Sequence, residues 1–204
     1  MLGIPLGLLW ANAGEWLTHK YLLHGLGRKK GAPFAWHFHD HHQAVRRHEG
    51  ADPGYHRPLR GWHPQTKEVV GLAAAAALHL PLLPVAPFFT GAVWWSIWTY
   101  HRVHRRSHLD PAWARAHLPW HYDHHMGPDQ HQNWCVTRPW FDVLMGTRVP
   151  YAGTAREAAD LARRRQRAAT SAATSEATSA TTSAATSATT SASAQPACVA
   201  RAAS

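Results

Sequence analysis

Cysteine is nearly missing from this chain: of 204 residues only Cys135 and Cys198 are cysteines. Two thiols, one of them near the C-terminus, neither build a disulfide framework nor supply a thiolate metal site, and they fit a reducing cytoplasmic setting. Acidic residues are scarce as well, 12 against 21 lysines and arginines, for a formal net charge of +9. Such an excess can mark a nucleic-acid binder, but here the basic residues do not share one amphipathic face. Arg28 to Lys30, Arg46, Arg47, Arg57, Arg60 and Lys67 form one block, and Arg102, Arg105, Arg106, Arg115 and the run from Arg156 to Arg167 form another. Between Lys67 and His101 there is no basic residue. Basic blocks that flank an apolar interval are the positive-inside pattern of membrane proteins. The expectation is an integral membrane protein with both blocks cytoplasmic and no nucleic-acid partner.

Large apolar residues are absent from the end of the chain. From Ala168 to Ala194 it is almost only Ala, Thr and Ser, with Glu176 the sole charge, so nothing there can bury a core. This composition predicts a domain over 1–155, a basic segment over 156–167 and a disordered tail over 168–204, with the tail on the cytoplasmic side.

A long unbroken apolar run is also lacking. Val69 to Tyr100 carries no charged residue, but Pro81, Pro84 and Pro87 interrupt it, and proline inside a helix removes a hydrogen bond and ends or kinks it. The segment reads as a hairpin, Val69 to about Leu80 going in and about Phe88 to Tyr100 returning. Each arm is short of the roughly 20 residues of a full crossing, which leaves tilted, re-entrant and shallow placements open. Trp94, Trp95, Trp98 and Tyr100 close the second arm as an interfacial aromatic belt does. Leu2 to Trp16 is apolar apart from Asn12 and Glu15. Ala11-Asn12-Ala13 imitates a signal-peptidase site, but no Lys or Arg precedes the run, and a membrane helix running straight into His19 is the preferred reading. It could be the surviving arm of a hairpin.

What the chain has in abundance is histidine, 18 residues, twelve of them in four bunches: His19/His24, His37/His39/His41/His42, His101/His104/His108 and His121/His124/His125. Residues three and four apart on a helix share a face, so His37/His41, His104/His108 and the triplet His121, His124, His125 each aim imidazoles at one spot. His19 and His24, five apart, stand about 140° apart around an α-helix; they are expected to straddle two ions instead of sharing one. The adjacent pairs His41-His42 and His124-His125 offer one ring to each of two centres. In the second bunch His37 lies one turn before His41 and His39 lies three before His42, so either completes it, the other standing behind. The set His19, His24, His37, His41, His42, His104, His108, His121, His124 and His125 suits two metals of five nitrogen ligands each, with positions left open for catalysis. Imidazole alone does not choose between Fe, Zn, Cu and Ni. Asp40 and Asp123, inside the boxes, can orient ring N–H groups or be solvated helix residues. His48, His56, His63, His79, His117 and His131 read as loop or surface residues. A metal buffer would use a low-complexity His tract, not fixed spacings; non-catalytic metal binding is the alternative reading.

His19-Lys-Tyr-Leu-Leu-His24, His37-Phe-His39-Asp40-His41-His42, His104-Arg-Arg-Ser-His108 and His121-Tyr-Asp123-His124-His125 resemble, in order and gaps, the histidine boxes of the fatty acid hydroxylase and sterol desaturase superfamily. Asn133-Trp-Cys-Val136-Thr137-Arg-Pro139-Trp-Phe-Asp142-Val-Leu-Met-Gly146-Thr147 resembles the segment that closes the domain in that family. The resemblance covers roughly Trp16 to Val149. It implies an all-α membrane enzyme with a cytoplasmic helical cap holding two iron ions, which uses dioxygen as co-substrate and electrons from a separate donor protein to hydroxylate or desaturate a lipid. Phe38 stands where many members carry the first histidine of the second box, which keeps both His37 and His39 as candidates, and Cys135 replaces a common glycine. His101 occupies a place often acidic in the family, which implies a supporting position. A degenerate member of the family is a further alternative.

Overall fold

The computed structural model describes the backbone of residues 2–192 and the side chains of residues 2–176. The chain divides into two compact units, Met1–Thr154 and Ala155–Ser204. All regular structure among the described residues is helical, so the fold is all-α as expected. Helix α1 (Gly3–Leu17) runs without a break into a π-helical turn, Thr18–Leu23. A second π-helical turn, His37–His41, leads directly into α2 (His42–Arg47). Then come α3 (Pro64–Leu78), α4 (Pro87–Leu109), α5 (Pro111–His117), α6 (Pro119–Met126) and α7 (Trp140–Leu144).

Prolines set the helix starts. Pro64, Pro87, Pro111 and Pro119 each occupy the first position of a helix, where the missing N–H has no partner to lose and the fixed φ is already helical. Asp110 adds a side-chain cap to α5 by accepting from the Trp113 amide at 3.0 Å. Pro81 and Pro84 fall in the turn between α3 and α4.

Glycine lets α1 and α4 approach closely. A Cβ on Gly7 would sit 2.6 Å from the Phe89 carbonyl oxygen and 2.8 Å from the Ala92 Cβ, and one on Gly3 would sit 3.0 Å from the Phe89 nitrogen. Gly3 and then Gly7 meet α4 in ascending order, so the two helices run parallel. Helix α3 runs the other way, tied by Trp94 Nε1 donating to the Ala76 carbonyl at 3.0 Å and Trp10 Nε1 donating to His79 Nε2 at 2.9 Å. One end of this bundle therefore gathers the start of α1, the end of α3 and the start of α4. It is greasy and open: Leu2, Leu78, Val85 and Phe88 are 77%, 78%, 79% and 65% exposed. The opposite end carries the histidines.

Among the described residues no helix is long and apolar enough to cross a membrane. The expectation of membrane-crossing helices is corrected accordingly. Helices α1 and α3 have 15 residues each, about 22 Å of rise against a hydrocarbon core of roughly 30 Å. Helix α4 has 23 residues, but its last turns hold Arg102, Arg105, Arg106 and three histidines.

Apolar packing is modest. One cluster joins Val45, Tyr122, Met126 and Tyr151, and another joins Trp16, Trp134 and Cys135 with Phe141 against them. Much of the interior is polar, and ten imidazoles lie at its centre.

The second unit is a helix, α8 (Ala155–Ala192). The basic segment forms its first turns, with an exposed Arg156–Asp160 pair at 3.1 Å. The stretch from 168, expected to be disordered, continues the helix to Ala192. Alanine has the highest helix propensity, and the Thr170 and Thr174 hydroxyls bond back to the carbonyls of Gln166 and Thr170 at 3.0 and 2.9 Å. Residues 193–204 of the expected tail lie outside the described residues.

Candidate metal centre

His19, His24, His37, His41, His42, His104, His108, His121, His124 and His125 all fold inward, none more than 3% exposed. They form two groups that can each hold a metal ion. The first is His19, His24, His37, His42 and His124; the second is His41, His104, His108 and His125. His121 adjoins the second, its Nε2 lying 3.2 Å from that of His108.

The π-helical turns explain the partition. A π turn closes a hydrogen bond five residues back, as the His24 amide does to the His19 carbonyl at 2.9 Å and the His42 amide does to His37. The first and sixth residues then share a face. His19 and His24 accordingly sit in one group, which corrects the expectation that they straddle two. His37 pairs with His42, which corrects its expected pairing with His41. On the ordinary α-helices α4 and α6 the four-residue spacing rules, placing His104 with His108 and His121 beside His125. The adjacent pairs split, His42 and His124 to the first group and His41 and His125 to the second.

Within each group the ring nitrogens face one another. Nε2–Nε2 separations are 3.0 Å for His19–His37, 3.0 Å for His24–His42, 3.2 Å for His37–His42, 3.1 Å for His42–His124 and 3.2 Å for His104–His108. Metal–imidazole bonds of about 2.1 Å at right angles put neighbouring nitrogens about 3.0 Å apart. The opposite ring edges are tied down. His19 Nδ1 donates to the Trp134 carbonyl at 2.6 Å, His124 Nδ1 to the Gln132 carbonyl at 2.7 Å and His108 Nδ1 to the Gly50 carbonyl at 3.2 Å. A carbonyl can only accept, so in the neutral ring Nε2 carries the lone pair. Several buried lone pairs thus converge on each centre, which is repulsive unless a cation lies between them. The donor set fits a metal.

Burial drives every resolved imidazole shift in these groups downward. His19, His37, His42, His108, His121 and His125 are held well below the ordinary histidine value by desolvation and then by their neighbouring rings. Burial lowers His124 to about 3, against its carbonyl bond to Gln132. Neutral imidazole is the ligand form.

The supporting residues differ between the groups, and sequence reasoning missed most of them. Behind the second group stand two carboxylates: Asp52 Oδ2 lies 2.9 Å from His41 Nδ1, and Glu68 Oε1 lies 3.1 Å from His104 Nδ1. Tyr55 donates to Glu68 and its oxygen lies 3.0 Å from His104 Nδ1. Burial would raise both carboxyls; His41, Gly54 and Gln65 hold Asp52 low, and His104, His101 and Tyr55 hold Glu68 low. Behind the first group stand carbonyls and the Gln130 amide, 2.9 Å from His42 Nδ1. One signal was available in the chain: Glu68 is the only acidic residue between Asp52 and Asp110.

The segment resembling the domain closure delivers the carbonyl partner of His19. Asn133 takes a left-handed turn (φ 59°), which asparagine tolerates. Asp142 accepts from the Trp134 and Cys135 amides at 2.8 Å each, and Glu15 of α1 accepts from the Val136 and Thr137 amides at 3.0 Å each. That clamp presents Trp134 to His19.

Other candidates fall elsewhere. His39 belongs to neither group, its Nε2 lying 3.0 Å from the Arg28 carbonyl, and Asp40 is exposed. Asp123 is buried but accepts from the Ala152 amide at 2.6 Å and pairs with Arg148 at 2.7 Å, so it braces the chain and not a ring. His101 reaches Glu68 at 3.7 Å, a supporting place at one remove. His131, read as a loop residue, packs edge-on against His24 with ring centres 5.4 Å apart.

A cavity of about 690 Å³ adjoins the centre. It runs between α1, α3 and α4, and its wall includes His19 and His37 of the first group and His104 of the second. Toward the greasy end the wall is Trp10, Leu72, Ala75 and Leu78. Comparison with protein-family models, with curated proteins and with solved structures found no match to this chain.

Proposed function

We propose that this protein is a di-iron oxygenase of lipids, belonging to the fatty acid hydroxylase and sterol desaturase superfamily that its histidine boxes resemble. The observation that carries this reading is the cavity: a space large enough for a lipid-sized ligand, mostly apolar in its lining, whose wall includes histidines of both groups. A passive metal store has no use for it.

Two iron ions so held, with dioxygen and electrons from a separate donor protein, would supply the oxidising power to hydroxylate or desaturate a lipid chain. The chain's own residues do the rest. Trp134, Gln132 and Gly50 carbonyls, with Asp52 and Glu68, fix the rings so that Nε2 faces the centre. Burial keeps the rings neutral and excludes water from the reacting carbon.

The greasy end of the bundle is where the protein meets its lipid. Leu2, Leu78, Val85 and Phe88 enter one leaflet of a bilayer without crossing it, with the histidine end on the cytoplasmic side. Lys20 lies 4.2 Å over the Trp16 ring and Arg102 lies 4.7 Å over the Trp98 ring, pairs suited to the headgroup level.

The test is to load the purified full chain with ferrous iron, supply a chemical reductant and a panel of long-chain lipids, and look for oxidised lipid by mass spectrometry. Oxidised product with the wild type and none with His124→Ala is expected. Stoichiometric metal without dioxygen uptake or product would instead make the protein a metal binder.

A further inference from the structure

One loop, between α6 and α7, holds down most of the first group. Gln130 Nε2 lies 2.9 Å from His42 Nδ1, the Gln132 carbonyl accepts from His124 at 2.7 Å and the Trp134 carbonyl accepts from His19 at 2.6 Å. Three of the five rings of that group thus take their aim from residues 130–134. The ends of the loop are pinned: Arg46 donates to the His125 and Gly127 carbonyls at 3.0 Å each, and Asn133 bonds to Val149 and Arg148. The stretch between lies at the surface, with Pro128 and Asp129 exposed and Gln130, His131 and Gln132 half-buried. The rings of the second group lean instead on Gly50, Asp52 and Glu68.

His131 sits in the middle of that loop and against a fourth ring of the group. It stands edge-on to His24 with ring centres 5.4 Å apart, and it stacks on Phe38 at 5.7 Å. By the same measure His24 lies 5.0 and 5.2 Å from His19 and His37, so His131 is nearly as close to His24 as are rings that can share an ion with it. Among the described residues His131 is the one partly exposed histidine in ring contact with the ten inward ones. His24 in turn has no tether, its Nδ1 being buried without a hydrogen-bond partner. Asp129 accepts from the His131 amide at 2.8 Å and brings an exposed carboxylate to the same mouth, a charge that draws cations. The cavity also reaches this group, at His19 and His37, but a mostly apolar wall strips a hydrated dication of its water at high cost.

We propose that the loop from Gln130 to Trp134 is a clasp over the first group and that His131 is its entry ligand: a divalent first-row metal ion binds the His131 imidazole at the surface, passes to His24 and is then enclosed by the rings the loop holds. Each ring nitrogen displaces one water from the ion, and no electron moves. This rests on the proposed two-ion centre and states how one half of it is filled.

The probe is cobalt(II), mixed by stopped flow with the metal-free full chain and followed by its visible absorption, with the final content read by elemental analysis. His24→Ala and His108→Ala, each lacking one ion, assign the phases to the two groups. His131→Ala should still take up two ions but fill the first group about tenfold more slowly than the wild type, with the second group filling at the wild-type rate. Release of the first ion to excess chelator should slow by the same factor, because an entry ligand serves both directions. His131→Gln, which keeps the bulk without an imidazole nitrogen, should behave as the alanine variant does. Uptake unchanged or faster in His131→Ala would make His131 a mere cover, slowing of both groups alike would make it a general support of the fold, and a final content of one ion would make it a resident ligand; each overturns the inference and leaves the two-ion centre standing. A wild type that takes up no cobalt overturns both.

Discussion

A histidine in this protein acts through both of its nitrogens. Nε2 faces the centre, and what Nδ1 touches decides how firmly the ring is aimed and how much negative charge lies behind it. The second group has Asp52 and Glu68 behind His41 and His104, whereas the first leans on carbonyls and an amide. Groups behind a ligand typically change metal affinity by 10- to 100-fold. Glu68→Gln is therefore expected to weaken one of two bound ions by about tenfold or more and leave the other unchanged, as read by competition with a chromophoric chelator. Equal weakening of both, or of neither, would break the assignment of Glu68 to the second group. Asp123→Asn, in contrast, is expected to destabilise the fold by about 1–3 kcal/mol through Ala152 and Arg148, with metal stoichiometry retained in the folded fraction.

Helical elements convert these residues into a site, and two of them are not α-helical. The π turns at Thr18–Leu23 and His37–His41 move residues five apart onto one face. Inserting an alanine after Tyr21 should set His24 six residues from His19, turn it about 120° from the face of His19 and lose the ion of the first group while the second is kept. Circular dichroism showing unchanged helix beside a halved metal content is the expected result; full metal content in the insertion would refute the requirement that His19 and His24 share a face. These turns also mark where the sequence stopped being legible. The ten inward histidines, the α3–α4 hairpin and the split of His41-His42 and His124-His125 follow from spacing at 3.6 residues per turn. The partnerships of His19 with His24 and of His37 with His42 do not, because a π turn has no residue signature comparable to proline or a cap. Glu68 and Asp52 were hidden for a different reason, lying distant in sequence from the rings they support. The shortness of the apolar arms was legible, since the prolines that cut the interval are plain in the chain, and among the described residues no helix is long and apolar enough to cross a membrane. Close packing imposes its own demand at Gly7, where Gly7→Val should cost about 1–3 kcal/mol by forcing α1 off Phe89 and Ala92.

The whole molecule has a polar heart, and its stability should follow the metal. Converging neutral imidazoles repel without a cation, so chelation should lower the melting temperature of the domain, and ferrous, cobalt or zinc ions should restore it by about 10 °C or more at saturating concentration. Acid should act in the same direction. Burial holds His19, His37, His42, His108, His121 and His125 well below the ordinary value of 6.5 and lowers His124 to about 3, so the unfolded chain binds protons that the folded one does not. Stability is then complete above about pH 6.5 and declines as pH falls from there toward 3. A melting temperature that stays level between pH 7 and pH 5 would contradict this.

Metal stoichiometry tests the two-centre account most directly. Elemental analysis of the full chain, purified after anaerobic loading with ferrous iron, should give two ions per chain, one for each group of histidines. His24→Ala and His108→Ala should each fall to about one, and the double variant to none. Substoichiometric iron indifferent to both substitutions would contradict the account.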